Sequence, residues 1–594
     1  MKELQYPFDA SHIIKKRKSI RKALLADGTP RFQKKIAVLG GSTTSDIVNT
    51  LELFLLDQGI EPLFYECEYA QYEQEAMFPS EELTAFAPDL IFLHTSNRNV
   101  KQWPDMKDTK EQVTEKLQQE VTRFQTIWKN LEERFHCPII QNNFEQPLYR
   151  LMGSKDVSDY RGRGNFLARL NQAFYDYAET ASNFYIHDLQ YVAADYGLAA
   201  WSNPAYWNMY KYCLCFEAIP YYAFSVSHII KSVFGRNKKA LALDLDNTLW
   251  GGVIGDDGVN GIEIGQENGV AQSYYEFQTY LKQYPSIGIL LTVCSKNEEE
   301  NAMEGLHHPD AALQEEDFQI IKANWENKDR NIAQIADELQ ILPDSIVFID
   351  DNPAERAIVE AQLPGVQAPP MDGVENYIRV IDRNGYFEVT TFNEDDLKRN
   401  EMYKENAKRS AAQASFADYG EYLKSLDMTA EIADFIPLYI QRITQLTNKS
   451  NQFNLTTRRF TPAEMEEVWK SPDYIRLYGK LVDKFGENGV VSVVIGEKEE
   501  QTLHIRLWLM SCRVLKRDME FAMLDELVSR CRQNGITTIR GYYYPTAKNK
   551  MVRDLYDRFG FTKVEEDAEG NAVWEMPVEG YQNQNRYIEV HTEA

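Results

Sequence analysis

The sequence predicts an α/β protein of three domains, two built on parallel sheets and the third α+β. Three observations carry this. The chain has 594 residues, more than one hydrophobic core accommodates. From Lys34 to about Pro369, short apolar runs alternate with helical patterns, as in parallel sheets covered on both faces. From about Asp427 to Glu579 the runs look antiparallel and lead into one long helix.

Taken in order, "KKIAVLGG" (Lys34–Gly41) is an apolar run ending in glycines, and "SDIVNTLELFLLDQG" follows with helical spacing and a closing Gly59. "EPLFYECEY", "PDLIFLHTS" and "CPIIQNN" complete a first domain, residues 1–234. In a second, residues 235–392, "KKALALDLD", "GILLTVCS" and "DSIVFIDD" each end in polar, mostly acidic, residues. Such runs suit the central strands of a doubly wound sheet, whose ligands collect beyond the carboxyl ends. A polar helical linker, 393–426, leads to the third domain, 427–580, with a tail at 581–594.

Composition narrows the classes. Apolar residues make up 43% and charged residues 26%, ordinary for a soluble globular protein. No apolar run reaches ~18 residues, so no transmembrane helix and no membrane partner are expected. "MKELQYPFDASHIIKKRKS" has no apolar signal core before its basic cluster. Seven cysteines, none in a CxxC pair, argue against a disulfide framework and for a reducing, cytoplasmic setting. A net charge of −26 repels phosphate backbones, so nucleic acid is not an expected partner. The basic island Lys15–Lys22 reads as a solvated helix face.

The chemistry concentrates in the second domain. "LDLDNTLWGG" places Asp244 and Asp246 two residues apart at a strand end, with Thr248 after them, and "FIDDNPAER" places Asp350 and Asp351 at another. A carboxylate that attacks phosphorus needs a divalent cation to quench repulsion and a second acid to protonate the leaving oxygen. Oxygen ligands from adjacent strand ends suit Mg²⁺. Acidic residues after strands also serve as helix caps, and one DxD alone would be read that way. Three strands ending in DxDNT, in Ser and in DD, with a lysine before the last, point instead to a site.

Over about Lys238 to Pro369 these motifs resemble the haloacid dehalogenase (HAD) phosphatase superfamily. The resemblance implies Asp244 as nucleophile, Asp246 as acid/base with its main-chain carbonyl on the metal, and Thr248 orienting the loop. It further implies Ser295 binding phosphate, Lys328 in "NWENKDRN" clamping nucleophile and phosphate (Lys322 being the alternative), and Asp350 and Asp351 at the metal. The segment between Thr248 and the next strand is too short for a large cap domain, so an open site is expected, suited to a bulky or protein-borne substrate. "LDLDNTLWGGVIGDDG", "VCSKN", "NWENK", "VFIDDNPAER" and "LTNKSNQFNLTTRR" together resemble the FkbH-like family. That family implies an SGNH-like (flavodoxin-like) N-terminal domain, a HAD domain with a minimal cap and a GNAT acetyltransferase-like C-terminal domain. It implies an enzyme that takes a phosphoglyceryl group from 1,3-bisphosphoglycerate, removes the phosphate and loads the glyceryl group on an acyl carrier protein.

A thiol would serve that chemistry by holding the acyl group as a thioester. Cys294 stands beside Ser295, and Lys296 follows directly. Strand alternation sends Cys294 toward the packed layer if Ser295 faces the site, and Cys512 in "LMSCRVLKR" is the rival. In the GNAT-like domain, Lys516 and Asp518 replace glycines of the family pattern, and Arg513, Lys516 and Arg517 are candidates for meeting the phosphate of a carrier's pantetheine arm or of CoA. In the SGNH-like domain, Ser42 stands at the nucleophile's position and Asn97 at the oxyanion-binding one. Gly41 replaces an expected Asp, and no late Asp-x-x-His supplies a base. A free-standing phosphatase of a small sugar or polyol phosphate, and a carrier-docking scaffold with a vestigial phosphatase, are the competing readings.

Overall fold

A computed structural model describes the chain apart from residues 393, 415, 417, 451, 512, 513, 547, 593 and 594, and apart from the side chains of 394–396, 407, 410, 411, 414, 449 and 463. Cys512 and Arg513 thus lie outside the described residues. The chain divides into two compact units, residues 1–236 with 388–390, and the remainder. Among the described residues no helix is long and apolar enough to cross a membrane.

The first unit holds a five-stranded parallel sheet of β1 (Phe32–Gly40), β2 (Ile60–Glu66), β3 (Leu90–His94), β4 (Ile139–Asn142) and β5 (Phe184–His187), in the order β2-β1-β3-β4-β5. This is the flavodoxin-like order, in which the winding reverses between β1 and β3. Gly59 ends the helix Ser45–Asp57 as expected, with a φ of 78° that disfavours residues bearing a Cβ. The basic island lies on the helix Ala10–Ala26, begun by Asp9, whose carboxylate accepts from the His12 main chain. Arg17 pairs with Asp46 at 2.8 Å and Arg21 with Glu52 at 2.8 Å, while Lys15, Lys16, Lys18 and Lys22 are exposed.

The second unit carries two sheets. The first contains β6 (Ala240–Leu243), β7 (Leu290–Ser295), β8 (Ile320–Ala323) and β9 (Ile346–Ile349), all parallel, in the order β8-β7-β6-β9. The pleat sorts its side chains into two layers. Leu241, Leu243, Leu291 and Val293 pack with Phe277 and Tyr377. Ala240, Ala242, Leu290, Cys294 and Phe348 pack with Ile332 and Ile335 on the other face. The order reverses at β6, and all four strands end on the same side, so residues just past β6, β7 and β9 converge.

The second sheet has eight strands: β10 (Met428–Ala433), β11 (Tyr474–Asp483), β12 (Gly486–Glu499), β13 (Thr502–Met510), β14 (Thr538–Tyr543), β15 (Thr562–Glu566), β16 (Ala572–Pro577) and β17 (Ile588–His591). Their order is β15-β16-β14-β13-β12-β11-β10-β17. β13 and β14 pair in parallel only over Thr502–His504 and Thr538–Arg540, and the helix Met519–Gln533 crosses between them in sequence, giving a GNAT-like α+β domain. The segment read as a tail is not one: β17 lies in it and pairs with β10 from Met428–Ile588 to Glu431–His591. The linker is the helix Glu394–Ala414, which donates from Asn400 to the Pro285 carbonyl and grips Asp483 with Arg409.

Candidate active site

The apolar run of β6 ends at Leu243, and the next turn is shaped by polar groups. Asn247 adopts a left-handed φ of 55°, which asparagine tolerates better than most residues. Its side chain accepts from the Gly252 main chain at 3.0 Å, and its carbonyl accepts from Tyr377 Oη at 3.1 Å. Thr248 is fully buried and accepts from the Asp351 main-chain N–H at 3.2 Å. It thereby ties the loop after β6 to the loop after β9.

These loops bring the acids together. Lys328 Nζ, at the start of the helix Lys328–Glu338, lies 2.7 Å from Asp244 Oδ2 and 2.5 Å from Asp350 Oδ2. Asp244, Asp350 and Asp351 each bring a carboxylate oxygen within 4.8 Å of the others. This hard-oxygen set suits Mg²⁺. Burial and the Asp244 charge raise the Asp350 pKa to about 6 against the pull of Lys328, and burial with Asp244 raises Asp351. Burial disfavours the Lys328 ammonium, but Asp244 and Asp350 outweigh it and hold the proton more firmly than usual. Lys322, the alternative clamp, pairs with Glu338 at 2.6 Å and takes no part.

Asp246 is turned away from the other three. Its Oδ1 accepts from Trp250 Nε1 at 2.9 Å and from the Ile254 main chain at 3.1 Å, and its Oδ2 accepts from Asn297 Nδ2 at 3.1 Å. Its carboxylate is therefore not among the side-chain oxygens gathered within ligand reach; the metal contact expected of this residue was through its main-chain carbonyl. Burial raises its pKa against the hydrogen bonds from Ile254 and Trp250, which favours a carboxyl able to give a proton. Ser295 is buried at the end of β7, on the strand end next to Asp244.

Cys294 does not join them. It is 0% exposed and lies in the opposite apolar layer. Its thiol donates to the Lys328 carbonyl at 3.6 Å, and burial raises its pKa far from the thiolate range. Lys296, the nearest cation in sequence, is paired with Glu355 at 2.7 Å. Strand alternation prevails, and the thioester role assigned to Cys294 is withdrawn. Cys294→Ala should keep phosphate release within about twofold of wild type and cost about 1 kcal/mol or somewhat more in a denaturant melt, as for small losses of buried side-chain volume. Loss of release from a folded variant would restore the cysteine to the chemistry.

Two residues escaped the sequence reading. Arg356 Nη1 donates to the main-chain carbonyls of Asp350 and Asp351, each at 2.7 Å. An arginine so early in the helix Pro353–Gln362 opposes the helix dipole, and that misfit was the available signal. Asn297, in the bend just past β7, donates from Nδ2 to the Asp246 carboxylate at 3.1 Å.

The flanking candidates divide. Arg517 is buried, with Nη1 3.1 Å from Asp483 Oδ2 and Nη2 2.9 Å from Asn406 Oδ1, so it closes the fold and is not offered to a phosphate. Lys516 is exposed. Lys516 and Asp518 both take a φ of 63°: the backbone is bent as for glycine while carrying side chains. Asp518 and the buried Glu520 stand at the first turn of Met519–Gln533, where CoA pyrophosphate would meet two carboxylates. Ser42 lies on the turn after β1 as expected. Asn97 does not reach it, since its side chain donates to the Glu145 carbonyl at 3.2 Å. Asn99 approaches instead, donating to the Gly41 carbonyl at 2.9 Å, and a Cβ at Gly41 would fall 2.4 Å from its side chain. That contact accounts for glycine where Asp was expected.

Residues 35–231 match the family model described as FkbH, N-terminal domain, so the FkbH-like resemblance holds over that stretch. The N-terminal part of a Bacteroides fragilis protein, containing a phosphatase domain and complexed with Mg, aligns with 63% of this chain and 99% of its own. The two share 28% identity at a TM-score of 0.58. An acetyltransferase from Thermus thermophilus matches over 26% of this chain and 99% of its own, at 12% identity and a TM-score of 0.21. A Sinorhizobium meliloti phosphinothricin acetyltransferase in complex with AcCoA matches over 25% and 88%, at 18% identity and a TM-score of 0.21. No curated relative matches the chain. The second domain has a HAD-like doubly wound fold.

Proposed function

We propose that the protein is a Mg²⁺-dependent phosphatase and glyceryl transferase that places a phosphoglyceryl group on an acyl carrier protein and removes its phosphate. The observation that carries the phosphatase reading is Lys328 held between Asp244 and Asp350, with Asp351 in ligand reach. Asp244 Oδ attacks phosphorus and the leaving oxygen takes the Asp246 proton, giving an aspartyl-phosphate that water hydrolyses with Asp246 as base. Lys328 holds Asp244 in place and offers positive charge beside the incoming phosphoryl group. Thr248 and Arg356 fix the loops that bear the acids. Mg²⁺, held by Asp244, Asp350 and Asp351, would quench the charge of the phosphoryl oxygens.

The transfer step needs no enzyme thiol. The carrier's pantetheine sulfur can attack the acyl carbon of 1,3-bisphosphoglycerate directly, expelling inorganic phosphate and leaving a 3-phosphoglyceryl thioester for the phosphatase site. The minimal cap supports a protein-borne substrate. Between β6 and β7 the described residues form only the helices Ile254–Asp257 and Gly269–Leu281 and a short turn, and the second of these packs in the core through Phe277 and Leu281. On the loop leading to Lys328, Trp325 is 67% exposed and donates to Glu298 Oε1 at 2.7 Å, an apolar face suited to a pantetheine arm.

The test is intact mass spectrometry of a carrier protein incubated with enzyme and 1,3-bisphosphoglycerate. A glyceryl adduct should appear with Mg²⁺, whereas exhaustive chelation should abolish dephosphorylation. Ca²⁺ should restore it poorly, because it prefers more ligands in looser geometry. Full activity after chelation would refute the metal site, and a carrier left unmodified would refute the transfer. Trp325→Ala should slow release from a carrier-borne phosphoglyceryl group about tenfold and leave a small phosphate ester unaffected. Equal effects on both substrates would favour a free-standing phosphatase.

A further inference from the structure

The carboxyl ends of β1, β3, β4 and β5 carry a buried polar chain that the phosphatase chemistry does not use. Ser42 Oγ lies 2.7 Å from His94 Nε2, and His94 Nδ1 lies 2.5 Å from Tyr222 Oη. Tyr222 Oη accepts from Asn142 Nδ2 at 2.8 Å, and Asn142 Oδ1 meets His187 Nδ1 at 2.8 Å. Ser42 is 3% exposed, His94 and His187 1%, and Asn142 and Tyr222 0%. Polar groups so deeply buried contribute little net stability beyond apolar packing and are costly if one partner fails. Their place is the β1/β3 reversal, where an open sheet of this order collects ligands.

The geometry is that of a nucleophile, its base and an orienting group. Burial draws the His94 pKa down to about 3, so the ring is neutral with one nitrogen free of a proton, and it relays the serine proton to the leaving group instead of storing it. With the proton on Nδ1 and directed to Tyr222, Nε2 accepts the Ser42 hydroxyl. Cys213 Sγ stands 3.4 Å from Ser42 Oγ and 3.5 Å from His94 Nε2, but burial pushes its pKa up to about 12, which makes it a poor nucleophile. The stretch around Tyr210 and Lys211 is tied to the residue after the serine. Thr43 donates from its main chain to the Lys211 carbonyl at 3.0 Å and from Oγ1 to the Tyr210 carbonyl at 2.7 Å. The helix Pro204–Tyr210 that precedes these carbonyls has no buried residue.

We propose that the N-terminal domain holds a second reactive site, in which Ser42 accepts an acyl group from a thioester with His94 as its base. Ser42 Oγ bonds to the acyl carbon, and its proton passes to His94 Nε2. The carbon–sulfur bond breaks, and the leaving thiol takes that proton, so an O-acyl serine and a free thiol result. Tyr222 is a positioning residue that keeps the His94 ring aimed at Ser42. The base comes from the end of β3, which is why no Asp-x-x-His was found late in the domain. This site is independent of the phosphatase reading.

The full chain is incubated with an acyl N-acetylcysteamine thioester and, separately, with a fluorophosphonate, and the modified residue is found by peptide mass mapping. Both reagents should mark Ser42. Ser42→Ala should abolish the mark, and His94→Gln should slow it at least about a hundredfold, within the range of general-base contributions. Tyr222→Phe should slow it about tenfold and shift its pH profile, which a merely structural hydroxyl would not do. Modification at Cys213 in place of Ser42, or of neither residue, overturns the proposal. Because wild-type chain alone decides between Ser42 and Cys213, a variant that fails to fold does not spare it.

Discussion

Asp244→Asn should abolish phosphate release, by about 10³-fold or more, and leave the fold intact. An amide has nearly the shape of the carboxylate but cannot attack phosphorus, and removing a covalent nucleophile ordinarily costs factors of this size. The variant also frees Lys328 of one of its two carboxylates, so its thermal transition should shift modestly, without unfolding. Single-turnover phosphate release and circular dichroism on one preparation check both halves. Release at the wild-type rate from Asp244→Asn would remove the aspartyl-phosphate mechanism.

Lys328→Met should be the most destabilising substitution in the site. Its ammonium is 4% exposed and lies between two carboxylates. Removing it leaves Asp244 and Asp350 facing each other without a counter-charge, and breaking a buried ion pair from one side costs about 3–5 kcal/mol. Millimolar Mg²⁺ should recover part of this loss, because a cation held by the same acids stabilises only the folded chain. Denaturant melts with and without Mg²⁺ check it. A melt unchanged by the substitution would show that Lys328 does not hold the acids. Phosphate release should fail in either condition, since the clamp on the nucleophile is gone.

The phosphatase domain was legible because its chemistry sits where strands end. An apolar run that stops at an acid fixes both the strand and the direction of the loop, so Asp244, Asp350 and Asp351 could be placed together before any coordinates. The lysine was read as Lys328 on the strength of a family resemblance, with Lys322 as the alternative. Lys322 lies within β8 and Lys328 opens the following helix, and only the packing of that helix shows which one reaches Asp244. Cys294 illustrates the reverse. A motif placed it beside Ser295, but the two-residue period of the strand turned it to the other layer. The Ser42–His94 pair was out of reach for another reason. Fifty-two positions separate the two residues, and pairing of β1 with β3 brings them side by side. No local pattern encodes that distance. Arg356 was visible only as a charge on the wrong end of a helix, a signal that needs the helix boundary to be known first.

The strand β17 has a consequence for how the chain is made. β10 is synthesised first, and its free edge must wait until residues 588–591 arrive to cover it. During translation, when domains fold as they emerge, that uncovered edge offers main-chain donors and acceptors to any neighbouring nascent chain. The edge of β10 therefore stays open until β17 appears, and the pairing of β17 with β10 closes it.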